Sequence, residues 1–211
     1  FSYQVKKFNT IIISITRFIT LSILIINFIL FTNAETLNCI FSSALWTDGR
    51  NRYYCHVQNK EIFVNRHVQI DRVTGQHQNS MTDDDVEGIY LWDGVMEAFP
   101  KGLERVFKNL NGISFQNMKL QAIHQSDLQM HPNLQFLNLQ GNDLQMIEAN
   151  LFNFNPKLAF INLSNNKINF IHPNVFNYLR QLYWLNLENN RCESFLGSAI
   201  NKRQDVENII N

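Results

Sequence analysis

Three cysteines are all that this 211-residue chain contains. No two form a C-x-x-C pair, and none stands near histidine at metal-ligand spacing, so no metal site is expected. Eight glycines occur, and none builds a phosphate-cradling loop; G-x-S-x-G and H-E-x-x-H are also missing. With no nucleophile aligned beside a base, neither catalysis nor a cofactor is expected. Charged residues make up 17% of the chain, 18 basic against 18 acidic. Neutrality removes the clustered basic face that nucleic acid requires, so no nucleic-acid partner is expected. Asp83-Asp84-Asp85 are consecutive and lack the alternate spacing of a calcium loop, so they read as a solvated turn. Large apolar residues are plentiful, at 45% hydrophobic overall, which argues against disorder.

What is present is unevenly placed. The chain opens on Phe1 and its first methionine is Met81, so a fragment is expected. Residues 1–34 hold Lys6, Lys7, Arg17 and no acid, then an uncharged run from Phe18 to Phe31 ending near Thr32-Asn33-Ala34. That order describes a secretory signal peptide cleaved after Ala34. The competing reading is an uncleaved membrane anchor from Thr10, although Arg17 would be costly at membrane depth. Either way the remainder faces the secretory pathway, and a secreted, extracellular location is expected.

In that compartment Cys39 and Cys55 are expected to form a disulfide, with two reduced buried thiols as the alternative. Asp48-Gly49 between them is a hairpin turn signal flanked by Leu45-Trp46 and Tyr53-Tyr54. Cys192 is left over, and its partner is expected beyond Asn211.

The organising feature is a period of 24. Five strips align: Val86–Leu91, Leu110–Phe115, Leu134–Leu139, Leu158–Leu163 and Leu182–Leu187. Five residues past each strip stand Met96, Leu120, Leu144, Ile168 and Cys192. This is the pattern L-x-x-L-x-L-x-x-N-x-L of the leucine-rich repeat. It predicts an α/β-type solenoid, a leucine-rich-repeat horseshoe with a parallel concave sheet and five 24-residue repeats. The fourth and sixth positions of each strip point inward; the third, fifth and seventh point outward. At the ninth position Asn142, Asn166 and Asn190 are suited to hold backbone groups where the chain turns, and Gly94 and Met118 are not. Ile147, Leu151, Phe152, Ile171, Val175 and Phe176 mark the convex return. The expected division is a signal peptide (1–34), a disulfide-linked N-terminal cap with a hairpin (35–85), repeats (86–192) and a truncated C-terminal cap (193–211). Strands are expected near Ile62–Val64 and His67–Val73, and a helix over Asp205–Ile210.

The outward columns form the expected binding panel. Column three reads Gly88, Gly112, Phe136, Phe160, Trp184; column five ends in Asn138, Asn162, Asn186; and Tyr90 and Trp92 stand at its near edge. Exposed Phe136, Phe160 and Trp184 beside Asn138 and Asn186 suit a protein contact or a sugar ring. The bland alternative is an aromatic ladder that only stabilises the sheet. Asn162-Leu163-Ser164 is an N-glycosylation sequon in the middle of this panel. His124 and His172 share a repeat position but lie two repeats apart, too far for one metal ion.

The Cys39–Cys55 hairpin, the run from Val73-Thr-Gly75 to Glu87-Gly88, the stretch Asn133–Leu139 and Ile171-His-Pro-Asn-Val-Phe176 together resemble secreted leucine-rich-repeat proteins of insects. The resemblance implies an extracellular, non-catalytic recognition or scaffold protein, with some relatives acting in innate immunity. It also implies that residue 192 opens a disulfide-closed cap. Two functions follow: a soluble module binding a protein or glycan ligand on its concave face, or a membrane-anchored adhesive scaffold. Oligomers would form through the C-terminal end, and membrane contact only through an uncleaved N-terminal segment.

Overall fold

The computed structural model describes residues 34–64 and 68–191. The chain divides into two compact units, Phe1–Ala34 and Glu35–Asn211. The expected signal peptide, Cys192 and the expected C-terminal cap lie outside the described residues. Among the described residues no helix is long and apolar enough to cross a membrane.

Strand β1 (Ala34–Leu45) alternates as a half-buried strand should: Leu37, Cys39 and Phe41 face the core, while Asn38 and Ile40 face out. It pairs antiparallel with β2 (Asn51–Val57), from Leu45 against Asn51 to Cys39 against Val57. Gly49, at φ +80°, supplies the left-handed residue that the connecting turn requires. Cys39 and Cys55 are bridged, with Cα atoms 5.2 Å apart. On the chain-entropy account a loop of this length contributes roughly 3 kcal/mol. A Cys39→Ser, Cys55→Ser variant is therefore expected to lose about that much in urea denaturation; an unchanged midpoint would refute a structural role for the bridge.

Beyond β1 the sheet ends with β3 (Gln69–Thr74). Ile62–Val64, expected as a strand, instead belongs to a 3-10 turn, Lys60–Val64. With β2 on one side of β1 and β3 on the other, neither edge of β1 is open to it. The turn buries Phe63 and sends the Lys60 ammonium onto the carbonyls of Trp92 and Asp93, at 2.6 and 2.8 Å.

On its other side β2 pairs in parallel with β4 (Gly88–Trp92). The sheet continues through β5 (Gly112–Gln116), β6 (Phe136–Asn138), β8 (Phe160–Asn162) and β10 (Trp184–Asn186). Each register joins residues 24 apart, as Gly88 with Gly112 and Phe136 with Phe160. The two inward columns, from Ile89 and Leu91 to Ile161 and Leu163, are fully buried. Short strands β7 (Met146–Ile147) and β9 (Phe170–Ile171) pair on the return side, where Phe152 stacks on Phe176 at 6.0 Å.

The asparagines at position nine act between repeats. Asn142 Nδ2 donates to the carbonyls of Phe115 and Leu139, and its Oδ1 accepts from the N–H groups of Met118 and Leu120. Asn166 and Asn190 repeat the arrangement one strand further on each time. Each thus holds the turn of the preceding repeat as well as its own. At the first turn Lys60 takes over part of that task.

A second column was not foreseen. One residue before position nine of each repeat, Asp93, Asn117, Gly141, Asn165 and Asn189 all have φ between 53° and 73°. Asparagine, aspartate and glycine tolerate that left-handed conformation best. His131 occupies the repeat position that Asn155 fills one repeat later, and it is only 5% exposed. Burial lowers its pKa, with Glu104 opposing more weakly. The folded state therefore binds fewer protons than the unfolded one as pH drops below about 6.5. Stability is expected to be full above that pH and to fall beneath it. A His131→Asn variant should flatten this slope in urea titrations between pH 7 and 5.

Candidate functional site

The panel face of the sheet is not bare. Gly88 and Gly112 leave a strip without side chains, and the Trp46 indole from the hairpin turn lies on it. A Cβ at Gly88 would stand 2.6 Å from Trp46, and one at Gly112 would stand 2.8 Å from both Trp46 and Arg52. Trp46 meets Phe136 edge to face at 4.9 Å. Phe136 stacks on Phe160 at 4.6 Å, and Phe160 on Trp184 at 3.9 Å and 4°.

Arg52 holds this junction together. Its side chain is 1% exposed, with the guanidinium 5.0 Å from the Trp46 ring and 5.3 Å from the Phe136 ring. Two of its nitrogens donate to the Asp48 carboxylate at 2.8 and 2.7 Å, and Nε donates to Asn111 Oδ1 at 2.8 Å. At the far side the Tyr183 hydroxyl donates to the Asp48 carbonyl at 3.1 Å. Aromatics expected to be exposed are therefore covered: Phe136 is 2% and Phe160 4% exposed. The physical reason is local, since the hairpin's own tryptophan and arginine complete a layer that the repeats leave open.

Thr47 in the hairpin turn lines two hollows on this face. The larger, 650 Å³, is bounded by Asn138, Gln140, Asn162, Ser164, Trp184, Asn186 and Glu188 beside Asp48. The smaller, 210 Å³, lies between Trp46, Tyr54, Tyr90 and Phe136. Of the candidate residues, Asn138, Phe160, Trp184 and Asn186 line the first, while Tyr90, Phe136 and again Asn138 line the second. Trp92 is half exposed and lines neither. Burial raises the pKa of Tyr90, aided by neighbouring Tyr54. Burial likewise raises that of Tyr183, with the Asp48 charge adding to it. Both phenols stay neutral at physiological pH.

The column of asparagines closes short local turns. Oδ1 of Asn138, Asn162 and Asn186 accepts the N–H two residues on, from Gln140, Ser164 and Glu188. Asn162 is the most committed: its Oδ1 also accepts from Ser164 Oγ, and its Nδ2 donates to Gln140 Oε1. It is 7% exposed. A glycan at Nδ2 would replace one of its two hydrogens and have to leave through the groove between Gln140, Ser164 and Asn186, from a side chain with little room around it. The sequon is expected to be unoccupied in secreted protein, so glycosidase treatment should leave the mass unchanged.

Sequence reading missed a chain of polar contacts in the cap. Tyr53 Oη lies 3.0 Å from His77 Nδ1, and His77 Nε2 lies 3.0 Å from Asp83 Oδ1. The Gln78 N–H donates to the same phenol oxygen, and Phe41 stacks on His77 at 3.9 Å. Tyr53 is 4% exposed, so this group pins the segment before β4 to the hairpin rather than facing a substrate. Asp84 pairs with Lys108 at 3.0 Å and Asp85 accepts from Thr82, so the three acids point to separate partners. Among the described residues no three His, Cys, Asp or Glu side chains gather where they could hold a metal.

Residues 132–191 match the family model described as leucine rich repeat. That stretch contains β6, β8 and β10, and the 24-residue parallel register there fits a leucine-rich-repeat solenoid. A search of curated proteins finds no match. Among solved structures, one titled as a TLR13-ssRNA13 complex is similar, at 17% identity and a TM-score of 0.42. The similarity covers 64% of this chain and 20% of that one, so the match takes in about a fifth of that protein's length.

Proposed function

We propose that this chain is a non-catalytic, extracellular leucine-rich-repeat module that binds a protein or glycan ligand in the 650 Å³ groove beside the hairpin turn. Innate immune recognition is part of this reading, on the resemblance to secreted insect proteins. One observation carries it: the groove is lined by amides, hydroxyls, Phe160 and Trp184, with Asp48 and Glu188 its only charged groups. Such a lining offers hydrogen bonds and one stacking face to a neutral polar surface. It presents no cation to a phosphate, so nucleic acid is not the partner in this reading.

Because Phe136 and Phe160 are buried, their removal would confound binding with unfolding. The discriminating variant is Gln140→Ala with Asn186→Ala. Binding of the full chain to arrays of glycans and extracellular proteins is expected, and the double variant should lose it while remaining folded, with only the small drop in midpoint that two partly exposed hydrogen bonds account for. Unchanged binding, or preferential capture of single-stranded RNA, would overturn the proposal. Recovery of secreted protein beginning at Glu35 is the matching test of location.

The scaffold reading is favoured by a different observation. Met130, Phe154 and Tyr178 stand 24 residues apart and are 55%, 50% and 63% exposed, a repeating apolar column suited to assembly with other chains. Concentration-dependent sedimentation that disappears in a Phe154→Ser variant would support it over a monomeric module.

A further inference from the structure

The smaller hollow has a chemistry of its own. At 210 Å³ it falls below the roughly 300–1,000 Å³ of sites that take drug-sized ligands, so it has room for one ring system. Its walls are rings that meet edge to face: Trp46 with Tyr54 at 5.9 Å, Tyr54 with Tyr90 at 6.4 Å, and Trp46 with Phe136 at 4.9 Å. A further ring placed among them finds both faces and edges to pack against. No acid, lysine or arginine lines it, and burial raises the pKa of Tyr90, so a charged ligand would lose hydration without gaining a partner.

Two buried polar side chains in the lining set the remaining requirement. Ser114 Oγ already accepts from Gln116 Nε2 at 2.9 Å, and Asn138 Oδ1 already accepts the Gln140 N–H at 3.1 Å. Each oxygen keeps a second lone pair, and the serine O–H and the asparagine amide N–H groups remain as donors. A ligand that takes up these donors carries an acceptor such as a hydroxyl oxygen, which can also donate to the remaining lone pairs.

We propose that this hollow is a binding site for a neutral aromatic ring bearing an acceptor oxygen, a phenol above all. The source is either a small phenolic molecule or a tyrosine side chain of a partner, which share this chemistry. The hollow shares Thr47, Gln116 and Asn138 with the amide groove but is walled by different rings, so its failure would leave the function proposed for that groove standing.

The probe is p-cresol, titrated into the full chain while the Trp46 indole N–H and the Ala44 methyl are followed by NMR. Saturable shifts at both are expected, weaker ones with toluene, and none with methyl glucoside. An Ala44→Phe variant, which fills the hollow from its edge, should abolish the shifts; a Tyr90→Leu variant with an unchanged thermal midpoint should weaken them. Parallel binding of N-acetyl-tyrosinamide assigns the site to a partner's tyrosine, and binding of p-cresol alone assigns it to a free phenol. No saturable shift at Trp46, shifts confined to the Trp184 side, or indole binding as tightly as p-cresol would each overturn the proposal.

Discussion

An Arg52→Leu variant is expected to be less stable by about 3–5 kcal/mol, the cost of leaving one member of a buried ion pair uncompensated. Asp48 would keep its carboxylate in a site where its side chain is 2% exposed, with both guanidinium donors gone. The chain has one escape, which is to lift the hairpin turn off the sheet so that Asp48 meets water. That movement breaks the Tyr183 contact, separates Trp46 from Phe136 and exposes the stacked column. The measured loss is therefore set by whichever is cheaper, and acrylamide quenching of tryptophan distinguishes them. Strong quenching with a modest loss reports a lifted turn; weak quenching with the full loss reports a stranded carboxylate. Adding Asp48→Asn should restore part of the stability, since a neutral amide costs less to bury than an unpaired charge. A loss below about 1 kcal/mol without added quenching would put this pair among ordinary surface ion pairs and sink the account.

The second large effect is expected at Asn142. Leucine at this position would fit the apolar surroundings but remove hydrogen bonds to the carbonyls of Phe115 and Leu139 and from the N–H groups of Met118 and Leu120. Each buried backbone group left unsatisfied costs about 1–3 kcal/mol. Local relaxation recovers part of this, and a net loss of about 4 kcal/mol is expected. For a chain of this size that lowers the thermal midpoint by roughly 8–16 °C. Asn153→Leu, at an exposed position, is the control and should change little. Asn190→Leu should fall between them, because its bonds are only partly buried. Equal losses at Asn142 and Asn153 would show that the ladder is not structural.

How far the sequence could be read follows from what each residue's role depends on. Ile89, Ile113, Leu137 and Ile161 were legible as core because a strand in a stacked repeat has one geometry, and burial recurs with its period. Asn142, Asn166 and Asn190 were legible for the same reason, although their reach into the preceding repeat was not. The left-handed column through Asn117 and Asn165 went unread because asparagine, glycine and aspartate replace one another there and the residue type changes along the column. The candidate residues differ in how open they stand. Tyr90, Asn138, Trp184 and Asn186 line open hollows, while Phe136 and Phe160 do not stand free.

By itself, then, the sequence determined the stack: its 24-residue register, its inward columns, its asparagine turns and the hairpin that precedes it. These depend on contacts between equivalent positions, and periodicity records them. Which part of the panel meets a ligand was decided only by tertiary structure. Gly88 and Gly112 read as gaps in an aromatic column until Trp46 and Arg52 are seen to fill them. That contact joins a turn outside the repeats to strands about forty to ninety residues further along, with no period to announce it. An aromatic side chain exposed by its own strand is buried when a non-repeating element supplies the matching surface.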